Sequence, residues 1–207
     1  MCYPTANGVN MRRAILFLAV SWVFCAVAGM GATHTEVVQC PSGTHFGFKL
    51  RGGDVHIKRG SDLTHVVVRY TPDPHKPEEE KNVQLRSRTH GSAVQVEIRA
   101  PMSLSVDAEL EVPSPVSLEI HMTGGDLTVE GVEGDKNLQL FAGDLKVDVG
   151  TLESLRDAEV SVSVGDADVP SAGTLHGWLG HTWKYRGSGL YRLYAHTTFG
   201  DVNLVAK

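Results

Sequence analysis

The chain has 207 residues, 42% of them hydrophobic, with 22 Gly, 9 Pro and a formal net charge of −5 at pH 7. That is apolar material enough for one large domain or two small ones, and so many breakers exclude long helices as the main element. The mildly acidic balance excludes nucleic acid as a partner, because that needs a basic stripe to displace counterions.

The N-terminus differs in kind from the rest. Met1 to Asn10 resembles no part of an export signal, so Met11 is a second candidate start. Arg12 and Arg13 precede the apolar run Ala14 to Val27, and small residues follow at Ala28, Gly29, Gly31 and Ala32. A positive flank, an apolar segment and a small-residue exit make a secretory signal peptide. As a membrane span the run is short for a hydrocarbon core of ~30 Å, and no basic stop-transfer cluster follows it. Residues 1–32 are therefore read as an extension plus signal peptide, and 33–207 as one exported domain without a stable membrane span after cleavage. Its destination is the periplasm, the cell envelope or the extracellular space. Cleavage takes two arginines and no acids, which leaves 17 basic and 24 acidic residues and a net charge of about −7. Of the three cysteines only Cys40 remains, so no internal disulfide can form and a buried or capped thiol is expected.

From Phe46 the chain reads as strand, turn, strand. Phe46, Phe48 and Leu50 alternate, Gly52-Gly53-Asp54 turns, and Val55 and Ile57 resume the alternation. Val66, Val68 and Tyr70 form another period-2 set, as do Val94, Val96 and Ile98. Between them, residues 71–81 with Pro72, Pro74, Pro77 and the run Glu78 to Glu80 read as a solvated Pro-rich loop open to proteolysis. In the second half the same unit recurs at Gly125-Asp126, Gly143-Asp144, Gly165-Asp166 and Gly200-Asp201, each between short alternating strands. Glycine supplies the positive φ of a sharp turn, and the aspartate accepts backbone N–H groups that the turn leaves unpaired. These ten turn residues, with Gly53 and Asp54 as the first pair, are read as structural. The repetition predicts an all-β, single-domain β-solenoid or β-roll-like stack of short strands with Gly-Asp turns.

Residues 173–196 depart from that pattern. They hold Trp178, Trp183, Tyr185 and Tyr191 among frequent glycines and are read as an aromatic hairpin. It either caps the open end of the stack or forms a binding surface.

The run Val112-Pro113 to Ser117-Leu118, followed by Gly124-Gly125-Asp126-Leu127-Thr128-Val129-Glu130-Gly131-Val132-Glu133-Gly134-Asp135, resembles the bacterial DUF4097 family, a β-strand repeat family also called "putative adhesin". The later Gly-Asp copies fit the same unit, and the resemblance covers residues 95–207, more loosely 46–94. It implies an exported β-stack at the cell envelope, with an envelope or surface partner, and offers no catalytic residue to carry over.

The chemistry-bearing residues point the same way. One carboxylate per turn at irregular spacing does not assemble the six to eight oxygens of a calcium site. The ten histidines lack the paired spacing of a zinc motif, with His176, His181 and His196 nearest to a cluster. There is no Gly-x-Ser-x-Gly elbow and no phosphate loop. No catalytic, metal or cofactor residue is assigned. The chain is read as a non-enzymatic binding or structural module, with an extracytoplasmic metal-dependent or hydrolytic enzyme using scattered His and Asp as the alternative. The export reading is checked by N-terminal sequencing of the secreted or periplasmic protein: a start at Gly29 or Thr33 is expected, and an intact N-terminus in a cytosolic fraction contradicts it.

Overall fold

A computed structural model of the protein describes residues 32–177 and 180–206. Residues 1–31 of the extension and signal peptide, with both candidate starts, and Trp178 lie outside the described residues. In chain order the strands are β1 (His34–Gln39), β2 (His45–Gly52), β3 (Val55–Arg59), β4 (His65–Pro72), β5 (Gln84–His90), β6 (Ala93–Arg99), β7 (Val106–Val112), β8 (Ser117–Gly124), β9 (Leu127–Glu130), β10 (Lys136–Ala142), β11 (Leu145–Asp148), β12 (Leu155–Val164), β13 (Ala167–Asp168), β14 (Thr174–His176), β15 (His181–Arg186), β16 (Tyr191–Phe199) and β17 (Val202–Val205). A single helical turn, α1 (Pro77–Glu80), is the one α-helix among the described residues.

These strands form two mixed sheets that share one hydrophobic core. The smaller sheet runs β1-β4-β7-β3-β9-β11-β17-β13 and the larger β14-β15-β12-β16-β10-β8-β2-β6-β5. Six units cross from the larger sheet to the smaller: β6–β7, β2–β3, β8–β9, β10–β11, β16–β17 and β12–β13. Neighbouring units pair in parallel in both sheets. Period-2 alternation sends one face of each strand inward. Phe46, Phe48, Ile120, Leu138, Val160 and Ala195 from the larger sheet meet Ile57, Leu110, Val129 and Val147 from the smaller, all essentially dry. Each fully buried Leu, Ile or Phe contributes about 1.5–3 kcal/mol of transfer free energy.

The units do not stack in chain order. β6–β7 lies outside β2–β3 at one end, and β16–β17 inserts between β10–β11 and β12–β13 at the other. A solenoid wound once through in chain order would exchange neither pair. Antiparallel strands finish the stack: β4 and β1 beside β7, β5 beside β6, and the β14–β15 hairpin beside β12. These cover three of the four sheet ends, since an uncovered parallel unit leaves a row of backbone groups unpaired; the fourth is the two-residue strand β13.

The turns joining the sheets lie directly above one another. Gly53, Gly125, Gly143, Gly165 and Gly200 have φ between +98° and +140°. A Cβ on Gly143 would stand 2.2 Å from the carbonyl oxygen of Gly125, and one on Gly200 2.1 Å from that of Gly143. Glycine is thus required twice over, for its φ and for the closeness of the unit beneath. Beside the glycines runs a line of aspartates. The amide of Asp54 donates to Asp107 Oδ1 (2.9 Å), Asp126 to Asp54 (2.9 Å), Asp144 to Asp126 (3.0 Å), Asp201 to Asp144 (2.9 Å) and Asp166 to Asp201 (2.8 Å). In return, each aspartate carbonyl accepts the amide that follows the aspartate below, as in Leu127 N to Asp144 O at 2.9 Å and Leu145 N to Asp201 O at 2.9 Å. The acceptor is therefore in the neighbouring unit, not in the aspartate's own turn. Asp107, which no glycine precedes, is the first member of the row.

The structure differs from the sequence reading in three respects. Residues 71–81 are partly structured: β4 extends to Pro72, α1 follows, Glu80 meets His34 Nε2 at 3.0 Å, and Lys76 and Glu79 bond to Ser103. Residues 173–196 are not all hairpin, because Tyr191 opens β16, a strand flanked on both sides. β1, β5 and β7 were not anticipated as strands.

The row sets an order of costs. Asp107→Ala or Asp144→Ala should each lose about 0.5–2 kcal/mol, by analogy with helix caps. Asp166→Ala should lose less, because no backbone amide donates to its carboxylate among the described residues. Gly143→Val should lose more than any of them, on the order of 3 kcal/mol or above, as a β-branched residue resists positive φ and clashes below. Denaturant melts with calcium and with a chelator check this: the order should hold and calcium should shift none of the midpoints.

Candidate functional site

The outward face of the larger sheet is a grid fixed by strand register. One transverse row runs Arg86, Glu97, Lys49, His121, Gln139, His196, Ser161 and Thr182 across β5, β6, β2, β8, β10, β16, β12 and β15. The next runs Arg88, Gln95, Gly47, Glu119, Asn137, Tyr194, Glu159 and Lys184. A groove of about 690 Å³ crosses five of these strands, with Lys49, Arg51, Arg99, His121, Gln139 and Phe141 in its walls. At ~4.8 Å per strand it runs for roughly 20 Å along the stack.

Its electrostatics are one-sided. On β5, β6 and β2 the outward residues include Arg86, Arg88, Arg99, Lys49 and Arg51, against one carboxylate, Glu97. Arg99 Nε bonds Glu97 at 2.9 Å, and this bond, helped by Arg86 and Arg88 nearby, holds the Glu97 carboxyl below its ordinary range. In the middle of the face Glu119 accepts from His45 Nε2 (2.9 Å) and His121 Nε2 (3.1 Å), which likewise holds its carboxyl low. The smaller sheet's outer face is different. There Lys58 pairs with Glu109 and Glu111, Arg69 with Glu111 (2.9 Å), and Lys146 and His56 with Glu130 (3.4 and 3.2 Å). Phe141 is 53% exposed and packs edge-on against Phe199, 48% exposed, at 5.5 Å between centroids.

A second groove of about 1060 Å³ lies toward the β14–β15 hairpin. Two of its cations are paired, Lys184 with Glu159 (3.1 Å) and Arg186 with Asp157 (3.2 Å), while Arg192 lines it without an ion pair among the described residues. At its base Lys136 is only 5% exposed and donates to the Gly134 carbonyl at 3.1 Å. Burial pushes its ammonium down to about 8, against the pull of Asp135, Glu133 and Asp148.

The residues singled out from sequence fall in different places. Trp183 is 1% exposed and stacks on Tyr185 with centroids 5.9 Å apart, so its ring fills the core instead of facing a partner. Tyr185 and Tyr191 are partly buried against that core. What the hairpin does is cover the β12 edge. The turn pairs Gly53-Asp54, Gly125-Asp126, Gly143-Asp144, Gly165-Asp166 and Gly200-Asp201 stand in the row described above. Cys40 is fully buried and free, and burial raises its thiol to about 11, which keeps it protonated.

For catalysis the arrangement offers little. Ser161 Oγ lies 2.8 Å from His196 Nδ1, but the other ring nitrogen meets the Thr198 hydroxyl at 3.5 Å instead of a carboxylate. A serine needs a base held in one tautomer by a third group, and an oxyanion site, whereas sheet amides here are used in strand pairing. His181 stands 3.8 Å from Asp166, away from His196 and its Ser161 partner. Among the described residues no three His, Cys, Asp or Glu converge as a metal site would require, and no helix is long and apolar enough to cross a membrane.

No family model and no curated protein matches the chain. Among solved structures it is similar to a "putative cell adhesion protein" from Clostridium sporogenes, with a TM-score of 0.51 at 9% identity over 85% of this chain and 100% of that one. A "putative adhesin" from Bacteroides fragilis is 10% identical over 84% of this chain and 97% of that one, at a TM-score of 0.34. At such identities the likeness is one of fold.

Lys136 provides a check on the pH dependence of the stack. Its folded value near 8 lies below the ordinary lysine value of about 10.4, so between these the unfolded chain binds more protons and stability rises with pH. Lys136→Met should therefore stabilise the protein at pH 7, by about 1–2 kcal/mol. That gain should shrink as pH rises from 8 to 10, as urea melts at both ends of the range would show.

Proposed function

We propose that the protein is an exported, adhesin-like β-repeat module of the bacterial cell envelope, of the DUF4097 kind, which acts by binding and not by catalysis. The carrying observation is the groove across the outer face of the larger sheet. It is a long, unoccluded surface of mixed polar and apolar groups held by register on five strands, with Lys49 and Arg51 outside any ion pair among the described residues and an exposed aromatic pair at its far end. The likeness of fold to a solved protein named for cell adhesion supports the reading, as do the signal-like N-terminus and the repeated Gly-Asp unit. The absence of a held base at Ser161–His196 supports binding over hydrolysis. The aspartate row is proposed as scaffold: its carboxylates hold the turns together and bind nothing.

Retention of the purified domain on envelope preparations from the producing cell tests this. The parent should be retained, and Gln139→Ala with Phe141→Ala should weaken retention about fivefold, the loss of a central contact. Lys146→Ala on the opposite sheet should leave it unchanged. No retention, or equal retention of all three, contradicts the reading.

A further inference from the structure

The net charge of the chain is negative, yet its cations are sorted. On the smaller sheet they are consumed by carboxylates, and around the second groove Glu159 and Asp157 take Lys184 and Arg186, leaving Arg192 isolated. Only on β5, β6 and β2 do Arg86, Arg88, Arg99, Lys49 and Arg51 share one outer face with the single carboxylate Glu97. Fixing like charges side by side on neighbouring strands costs free energy through their repulsion. It is recovered when an anion lies among them.

The rest of the groove narrows the class of anion. Past the cations, the same transverse rows present His121, Gln139, His196 and Thr198, groups that exchange hydrogen bonds with hydroxyls, and then the exposed face of Phe141. A ring face carries partial negative charge and attracts the polarised C–H face of a sugar ring. Strands repeat at ~4.8 Å, close to the length of one pyranose unit, so an extended chain laid along the stack meets a new strand with each sugar. The exposed aspartate row borders the face along its turn edge and repels a broad anionic surface such as a lipid headgroup layer. A narrow polymer can lie inside that border. An extended acidic peptide would gain most by adding to a sheet edge, but both edges of the larger sheet are antiparallel additions outside the groove.

Building on the binding-module reading, we infer that the groove takes a linear anionic polysaccharide, with Lys49, Arg51 and Arg99 meeting its acidic groups and Phe141 stacking on a sugar face. The test uses the whole mature chain, titrated calorimetrically with polygalacturonate, with neutral dextran, with poly-glutamate, and with vesicles of phosphatidylglycerol and phosphatidylcholine. Polygalacturonate should bind, more weakly as salt rises, and the other three should bind at least about tenfold more weakly. Arg51→Glu with Arg99→Glu should weaken polygalacturonate about tenfold or more. Phe141→Ala should weaken it without changing the salt dependence, and Lys58→Glu on the opposite sheet should change it less than about twofold. Circular dichroism separates misfolded variants, and Lys49→Ala, a milder change, stands in for the double variant if that one fails to fold. Equal or tighter binding of dextran, poly-glutamate or the vesicles overturns the inference, as does polygalacturonate binding that the charge reversals leave intact. If polygalacturonate does not bind while envelope retention still depends on Gln139 and Phe141, the ligand class is wrong and the binding-module reading stands. If retention fails as well, both fall.

Discussion

The structure depends on how closely successive turns approach. Parallel strands repeat at ~4.8 Å, and at that distance a crossing turn has no room for a Cβ above the carbonyl beneath it. Glycine satisfies the sterics, but the crossing breaks strand pairing and leaves an amide without a partner. Aspartate repairs this. Its carboxylate receives the amide from the unit above, while the carbonyl of that upper aspartate receives the amide following the lower one. The reciprocal pair carries the hydrogen-bonded ladder round the corner from one sheet to the other. A charged acceptor makes each bond stronger than an asparagine would. The repulsion along the row is eased by exposure, since all six carboxylates face water.

Because the corner is fixed, register is fixed on both sheets, and through register the outer face becomes a surface of set geometry. Residues far apart in sequence, such as Arg86, Lys49 and Gln139, fall into one line only because every unit is locked to its neighbours in the same phase. The sorting of charge follows from the same locking. Across the smaller sheet, register sets Lys58 opposite Glu111 and diagonal to Glu109, and the charges cancel. Across β5, β6 and β2 it sets Glu97 alone between Arg86 and Lys49, with Arg88, Arg99 and Arg51 on the same face. The groove is thus a product of the stack, although no residue of the turns lines it.

What could be read from sequence was what is local. Alternation and a glycine-aspartate pair are visible within ten residues, so the β class, the repeat and its turns were legible. Stacking order was not. Nothing local to β16 says that it inserts between β10 and β12. Asp107 escaped because Val106, at the bottom of the column, has no Gly-Asp unit beneath it to exclude a side chain. The edge strands β1 and β5 bring only Val38 and Leu85 against the core and carry no clear alternation. For Trp183 the choice between cap and binding surface stayed open, because a hairpin is visible in sequence and the burial of its ring is not. The basic face was in principle traceable from arginines at alternate positions of 86, 88 and 99, yet only the pairing of β2 with β6 brings Lys49 and Arg51 beside them.

The central claim is that the aspartate row carries the ladder round the corner, and amide hydrogen exchange measures it directly. In the native protein the amides of Asp54, Asp126, Asp144, Asp201 and Asp166 should exchange as slowly as those of the flanking strands, although all five residues are exposed turn positions. In Asp144→Ala the amide of Asp201 should lose its protection before the amides of the core strands lose theirs. Exchange of these five amides at the rate of free loops, or an Asp201 amide indifferent to the loss of the Asp144 carboxylate, would contradict the account.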